Sequence, residues 1–349
     1  MSLLSLNCSP PSMYIEKNLM PEDRKSVISP EMRTILDAQQ VSVANLPAME
    51  INEARSAFAS AAAGWNVPLP DLEAENAVLD GVPCRILVPP SRKEGTVVFV
   101  HGGGWTFGSP ATHERFARLL AINSATTVVV PDYRLAPETP CPGAIEDVAK
   151  AVHTISSVRA AGGPLVLCGD SAGATIALAT ALAYRPRNLV ALSLLYGCFE
   201  PSFNSDSHLR NGDGRYGLST ERMRWYWGNW LGDAHDPRAA PLHADLTGLP
   251  WTYLLGAGLD PLCDDTVHLT GRLVSHGVAC RADYVPGVVH GFLQMTAMLP
   301  EARSALEILS QVIRERLDKA GGHSASGSIR GAAPVTENFA KLEVRQSGF

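Results

Sequence analysis

The 349-residue sequence has no uninterrupted apolar run near the ~20 residues that a membrane-spanning helix needs. It also has no excess of positive charge. Lys and Arg number 29 against 35 Asp and Glu, a net charge of -6, which removes the electrostatic footprint of a nucleic-acid-binding protein. The seven cysteines are odd in number and show no C-x-x-C spacing, which argues against both a complete disulfide framework and a zinc cluster. Residues Met1 to Cys8 lack the basic start and the long apolar core of a signal peptide. Reduced thiols and a cytoplasmic location are the resulting expectations.

What is present is a large apolar content, 46% hydrophobic against 18% charged residues. A chain of this length buries ~75% of its unfolded surface when it folds as one unit. β-branched runs alternate with helical patterns, the order that a mostly parallel sheet flanked by helices requires. Strands are expected at Asn76 to Leu79, Cys84 to Val88, Thr96 to Val100, Thr126 to Val130, Pro164 to Cys168, Ala191 to Tyr196, Trp251 to Gly256 and Arg281 to Val285. Helices are expected at Pro30 to Gln40, Asn52 to Ala63, Gly143 to Val158 and Pro300 to Leu317. Ser29-Pro30-Glu31 opens the first of them with a serine cap and a proline at the first helical position.

The sequence Gly169-Asp170-Ser171-Ala172-Gly173 follows an apolar strand and leads into an alanine-rich helix. That places Ser171 on a sharp strand-to-helix turn, where glycines permit close backbone approach and the Oγ is pushed outward as a nucleophile. Cys168, three residues earlier in an apolar strand, reads as a small buried hydrophobe. A second motif, His101-Gly102-Gly103-Gly104-Trp105, follows the Thr96 strand. Side-chain-free amides there can approach a developing oxyanion, so the N–H groups of Gly103, Gly104 and Ala172 are the expected oxyanion hole.

A serine nucleophile needs a base and an orienting acid, which in this architecture follow it in the order acid, then histidine. Asp260 ends the Trp251 strand and precedes Pro261-Leu262, at the strand end where sites in open α/β sheets collect. Asp264 and Asp265 lie a turn into the next helix and read as first-turn acids. Of the ten histidines, His290 lies between the last strand and the last long helix, free to bridge Asp260 and Ser171. His268 and His276 fit the polar face of a helix.

Aromatic residues are only 7% of the chain, yet Tyr216, Trp225, Tyr226, Trp227 and Trp230 crowd into the segment 203–232. This segment interrupts the strand and helix alternation and reads as a lid. Trp105, Tyr216 and Trp227 are the expected lining of an apolar, restricted substrate pocket, although helical spacing equally allows part of the cluster to pack the lid onto the core. Tyr133, Arg134, Glu138 and Asp147 read as a polar network bracing the glycine-rich loop.

These motifs, with Tyr133-Arg134-Leu135-Ala136-Pro137-Glu138 between them and Asp260-Pro261-Leu262 and His290-Gly291-Phe292 after them, resemble the hormone-sensitive lipase family of α/β-hydrolases, the bacterial family IV esterases. The resemblance covers residues 76–318 and departs from the family at Cys141 and Gly143, where an aromatic and an alanine are common. It implies an α/β-hydrolase fold and a Ser-Asp-His triad of Ser171, Asp260 and His290. It also implies a helical cap over the acyl pocket, no metal or organic cofactor, and a small-molecule ester as substrate. The expected organisation is a flexible segment 1–28, cap helices 29–75, a hydrolase core 76–318 with the lid inserted, and a flexible tail 319–349. Hydrolysis of short- to medium-chain or compact esters is the expected activity. Lactone, carbamate or amide hydrolysis with the same triad is an alternative, as is a noncatalytic small-ligand receptor. A homodimer through a sheet edge or the lid is compatible with the sequence, which names no interface.

Overall fold

The computed structural model describes residues 27–39, 48–157, 163–233 and 236–321. The expected segment 1–28, apart from its last two residues, lies outside these ranges, as does the expected tail from residue 322 onward. Eight strands form one sheet: β1 (Glu73–Leu79), β2 (Val82–Val88), β3 (Thr96–Val100), β4 (Thr127–Pro131), β5 (Leu165–Asp170), β6 (Leu189–Leu195), β7 (Trp251–Ala257) and β8 (Cys280–Val285). Their spatial order is β1-β2-β4-β3-β5-β6-β7-β8. β1 pairs antiparallel with β2, and β2 with β4; every later pairing is parallel. This is the α/β-hydrolase fold.

Nine helices accompany the sheet among the described residues: α1 (Pro30–Gln39), α2 (Ile51–Ala63), α3 (Glu114–Ser124), α4 (Gly143–Ser157), α5 (Ala172–Tyr184), α6 (Asp206–Asn211), α7 (Thr220–Leu231), α8 (Cys263–Ser275) and α9 (Pro300–Gly321). Strand side chains alternate between two cores, as a period of two dictates. From β3, Val98 and Val100 join the core shared with α4, α5 and α8. Val97 and Phe99 join the opposite core, shared with α1, α3 and α9. α5 is buried from Ala172 through Ala181, so its small, mostly apolar surface, broken only by Thr175 and Thr180, suits the centre of the layer. No helix among the described residues is long and apolar enough to cross a membrane.

Two expectations are corrected here, and one helix was not foreseen. β1 begins at Glu73, before the expected Asn76, because its polar Glu73-Ala74-Glu75 stretch is registered on Val88, Leu87 and Ile86 at the sheet edge. α9 continues past Leu317 to Gly321, so the chain is helical into the stretch expected to be a tail. α3 had no counterpart in the sequence reading. Its inner face mixes apolar Phe116 and Leu120 with buried Glu114 and Arg118, and those charges blur the apolar stripe. They are tolerated because Glu114 pairs with Arg118 at 2.8 Å and Arg85 at 3.1 Å.

Candidate active site

The candidate residues gather at the carboxyl ends of the parallel strands, where an open α/β sheet presents its crevice. Ser171 follows β5 with φ +53° and ψ -123°, a conformation that is costly for a non-glycine residue and typical of a nucleophile elbow. The turn closes because Gly169 and Gly173 have no side chains. A Cβ on Gly169 would collide with the Gly173 carbonyl, and one on Gly173 with the Val100 and His101 carbonyls.

His290 Nε2 lies 2.8 Å from Ser171 Oγ, and its Nδ1 lies 2.6 Å from Asp260 Oδ2. Asp260 is fully buried. Its Oδ1 accepts the Leu262 N–H at 2.9 Å, and its carbonyl accepts from Asn211 Nδ2 at 3.3 Å. The His290 ring meets the Tyr196 ring edge-on at 5.2 Å, which fixes its tilt. The structure therefore brings Ser171, Asp260 and His290 into one hydrogen-bonded chain. Asp264 and Asp265 lie elsewhere, accepting the Ser207 and Phe199 N–H groups at 2.7 and 2.8 Å, in α6 and just after β6. Cys168 is no rival nucleophile: burial pushes its thiol well above the usual range.

The glycine-rich loop crosses above the elbow. Gly103 and Gly104 have φ of +121° and +60°, values that favour glycine. A Cβ at Gly103 would strike the Phe107 carbonyl, and one at Gly104 the Tyr226 ring. Ala172 is the first residue of α5, so its N–H has no partner within the helix and stands at the positive end of the dipole. His101 braces the loop. Its Nδ1 contacts the Gly102 carbonyl at 2.9 Å, and its ring stacks on Tyr133 at 4.2 Å. Burial, reinforced by the nearby His113, lowers the His101 imidazole to about 3, so it is neutral at ordinary pH.

The bracing network has the expected members. Tyr133 Oη donates to the His101 carbonyl at 2.7 Å, and Arg134 pairs with Asp147 at 2.8 Å. Glu138 is gripped by Arg55 of α2, which also donates to the Thr106 carbonyl at 3.0 Å and the Ala136 carbonyl at 3.1 Å. Arg55 had no signal in the sequence, since its partners are 51 to 83 positions away. Because Glu138 is half exposed, the ion pair itself is weak and the two carbonyl contacts carry more weight. Arg55→Ala is expected to destabilise the fold by ~1–2 kcal/mol, read as a Tm about 2–4 °C lower per kcal/mol by calorimetry.

The aromatics expected at the pocket are packed as follows. Trp105 is fully buried and stacks on Trp230 at 5.2 Å, while Trp227 tilts against it at 4.7 Å. Both rings therefore spend their faces on the seam between α7 and the core, because such stacking removes more apolar area from water than a solvated pocket wall would. Tyr216 sits under the Arg215 guanidinium, 4.9 Å from the ring centre, and packs against the core shared with α1. The residue that does abut the glycine loop is Tyr226. Among the described residues no group of three or more His, Cys, Asp or Glu side chains is arranged to hold a metal ion.

Residues 97–294 match a family model described as the alpha/beta hydrolase fold. Among solved structures, a hyperthermophilic esterase from the archaeon Pyrobaculum calidifontis is 30% identical, with a TM-score of 0.75 over 83% of this chain and 98% of its own. An esterase from the bacterial hormone-sensitive lipase family is 27% identical, with a TM-score of 0.77 over 83% of this chain and 99% of its own. An ester hydrolase from the metagenome of Lake Arreo, complexed with a bipyridine phosphonate derivative, is 29% identical, with a TM-score of 0.77 over the same shares. On the family match, the fold and the motifs at its strand ends, the chain belongs to the α/β-hydrolases, within the hormone-sensitive lipase family.

Proposed function

We propose that this α/β-hydrolase is a serine carboxylesterase acting on short- to medium-chain or compact esters through an acyl-enzyme. The observation that carries the reading is the chain from Ser171 Oγ through His290 to Asp260, at 2.8 and 2.6 Å. His290 Nε2 takes the Ser171 proton as Oγ attacks the ester carbonyl, and buried Asp260 stabilises the resulting imidazolium. The N–H groups of Gly103, Gly104 and Ala172 receive the negative charge of the tetrahedral intermediate. His290 then gives its proton to the departing alcohol, and a water activated by the same histidine releases the acid. No metal or organic cofactor takes part in these steps. The esterase neighbours, one of them complexed with a phosphonate, support the same class of chemistry.

α6 and α7 act in this reading as the lid, with α1 and α2 as the N-terminal cap helices. The Tyr226 ring against Gly104 and the slight exposure of Ser171, 9%, favour small acyl groups. A p-nitrophenyl ester series from acetate to palmitate tests this, and kcat/KM for the short and medium chains is expected to exceed that for palmitate by ~10-fold or more. A preference for palmitate would overturn the size assignment. Absence of turnover on every chain length would overturn the esterase reading.

A further inference from the structure

Asp170 precedes Ser171 in the elbow, and the mechanism above gives it no part. Its side chain is 4% exposed, and a carboxylate so deeply buried persists only when hydrogen-bonded and paired. Donors are in place on both oxygens. Oδ1 accepts the Gly102 N–H at 2.7 Å, so the last residue of β5 holds the start of the glycine-rich loop. The contact is tight: a Cβ on Gly102 would lie 2.9 Å from both the Asp170 carbonyl and Oδ2. Glycine at 102 is thus explained by the approach of Asp170.

Oδ2 faces His113 Nε2 at 3.7 Å, with Gln294 Nε2 at 3.5 Å. His113 Nδ1 lies 2.8 Å from the Thr112 hydroxyl oxygen, which is itself 2.9 Å from the Ser109 carbonyl, so the ring is held in place from its far side. Burial by itself would raise the Asp170 carboxyl, but His113, His101 and the Gly102 N–H outweigh it and hold the carboxyl below its usual range.

We propose that Asp170 is a positioning residue for the oxyanion hole: faced by His113 and Gln294 on Oδ2, it holds the Gly102 amide through Oδ1 and so sets where the Gly103 and Gly104 N–H groups point relative to Ser171 Oγ. This rests on the esterase reading above. An oxyanion donor displaced by a fraction of an ångström loses most of its effect, because stabilisation depends on donors fixed before charge develops.

The test compares Asp170→Ala, Asp170→Asn and His113→Gln with the wild type and Ser171→Ala. It reads kcat and KM on p-nitrophenyl acetate, affinity for a boronic acid that mimics the tetrahedral state, and Tm. Asp170→Ala is expected to lower kcat by ~10²-fold, with KM within about threefold, and to weaken boronate binding by a similar factor. Asp170→Asn keeps an acceptor for the Gly102 N–H and is expected to retain kcat within about tenfold. His113→Gln, which removes the imidazole facing Oδ2, should fall between the two. If the alanine variant does not fold, Asp170→Ser, whose oxygen is too short to reach Gly102, carries the same expectation. Equal kcat losses in the Ala and Asn variants, a loss confined to KM, or a lowered Tm with unchanged kcat would overturn the positioning role. If Ser171→Ala also keeps full turnover, the esterase reading itself has failed; if Ser171→Ala is inactive while Asp170→Ala is not, only the role of Asp170 has.

Discussion

Ser171→Ala is expected to lower kcat on p-nitrophenyl acetate by ~10⁶-fold, to the level that the oxyanion hole and substrate binding sustain without a nucleophile. The reason is geometric. Ser171 Oγ is the atom that His290 Nε2 faces at 2.8 Å, and without it the imidazole has no positioned proton to accept. Neither ester binding nor folding should change much. Alanine must still adopt φ near +53° at the elbow, so the backbone strain stays and Tm should move by little. A chromogenic assay with enzyme in large excess reads the residual rate. Retention of more than a hundredth of the wild-type kcat would show that another group performs the attack.

Asp260→Asn is expected to cost ~10⁴-fold in kcat with nearly unchanged structure. The hydrogen bonds of Asp260 dictate this outcome. Oδ1 accepts the Leu262 N–H at 2.9 Å, so the asparagine must keep its carbonyl oxygen there and turn its NH2 toward His290. That NH2 donates where Oδ2 accepted at 2.6 Å, which forces the proton of a neutral imidazole onto Nε2. The nitrogen facing Ser171 is then a donor and cannot take the serine proton. Loss of the buried negative charge also removes what would stabilise the imidazolium. The expected signature is a collapsed kcat at neutral pH, with a Tm within a few degrees of wild type. Unchanged turnover would return the acid's role to Asp264 or Asp265.

Much of this was legible before the fold was known, and the reason differs from residue to residue. β3 was readable end to end because a β-branched run between turn residues is a local signal. Ser171 and the glycine run were readable because a sharp turn and a close backbone approach demand particular residue types at fixed spacing. α3 was missed because Glu114 and Arg118 occupy its inner face, and their burial depends on Arg85, 29 positions from Glu114. Asn211 beneath Asp260 was missed for a similar reason, its acceptor lying 49 positions away. The aromatic lid was visible as a cluster of rings, but ring direction was not. Trp105 turned inward to stack on Trp230 and Trp227, leaving Tyr226 against the glycine loop.

By itself the sequence determined the eight strands in order, several of the helices, the sharp turn at Ser171, the glycine-rich loop and the types of the candidate reacting groups. Each of these follows from backbone preferences over a few neighbouring residues. The tertiary structure alone decided the 2.6 and 2.8 Å spacings of Asp260, His290 and Ser171, the Arg55 grip on the loops, and the pairing of Asp170 with Gly102 and His113. Those depend on burial and on charges meeting across segments far apart in the chain, and no local pattern of residues encodes a distance between them.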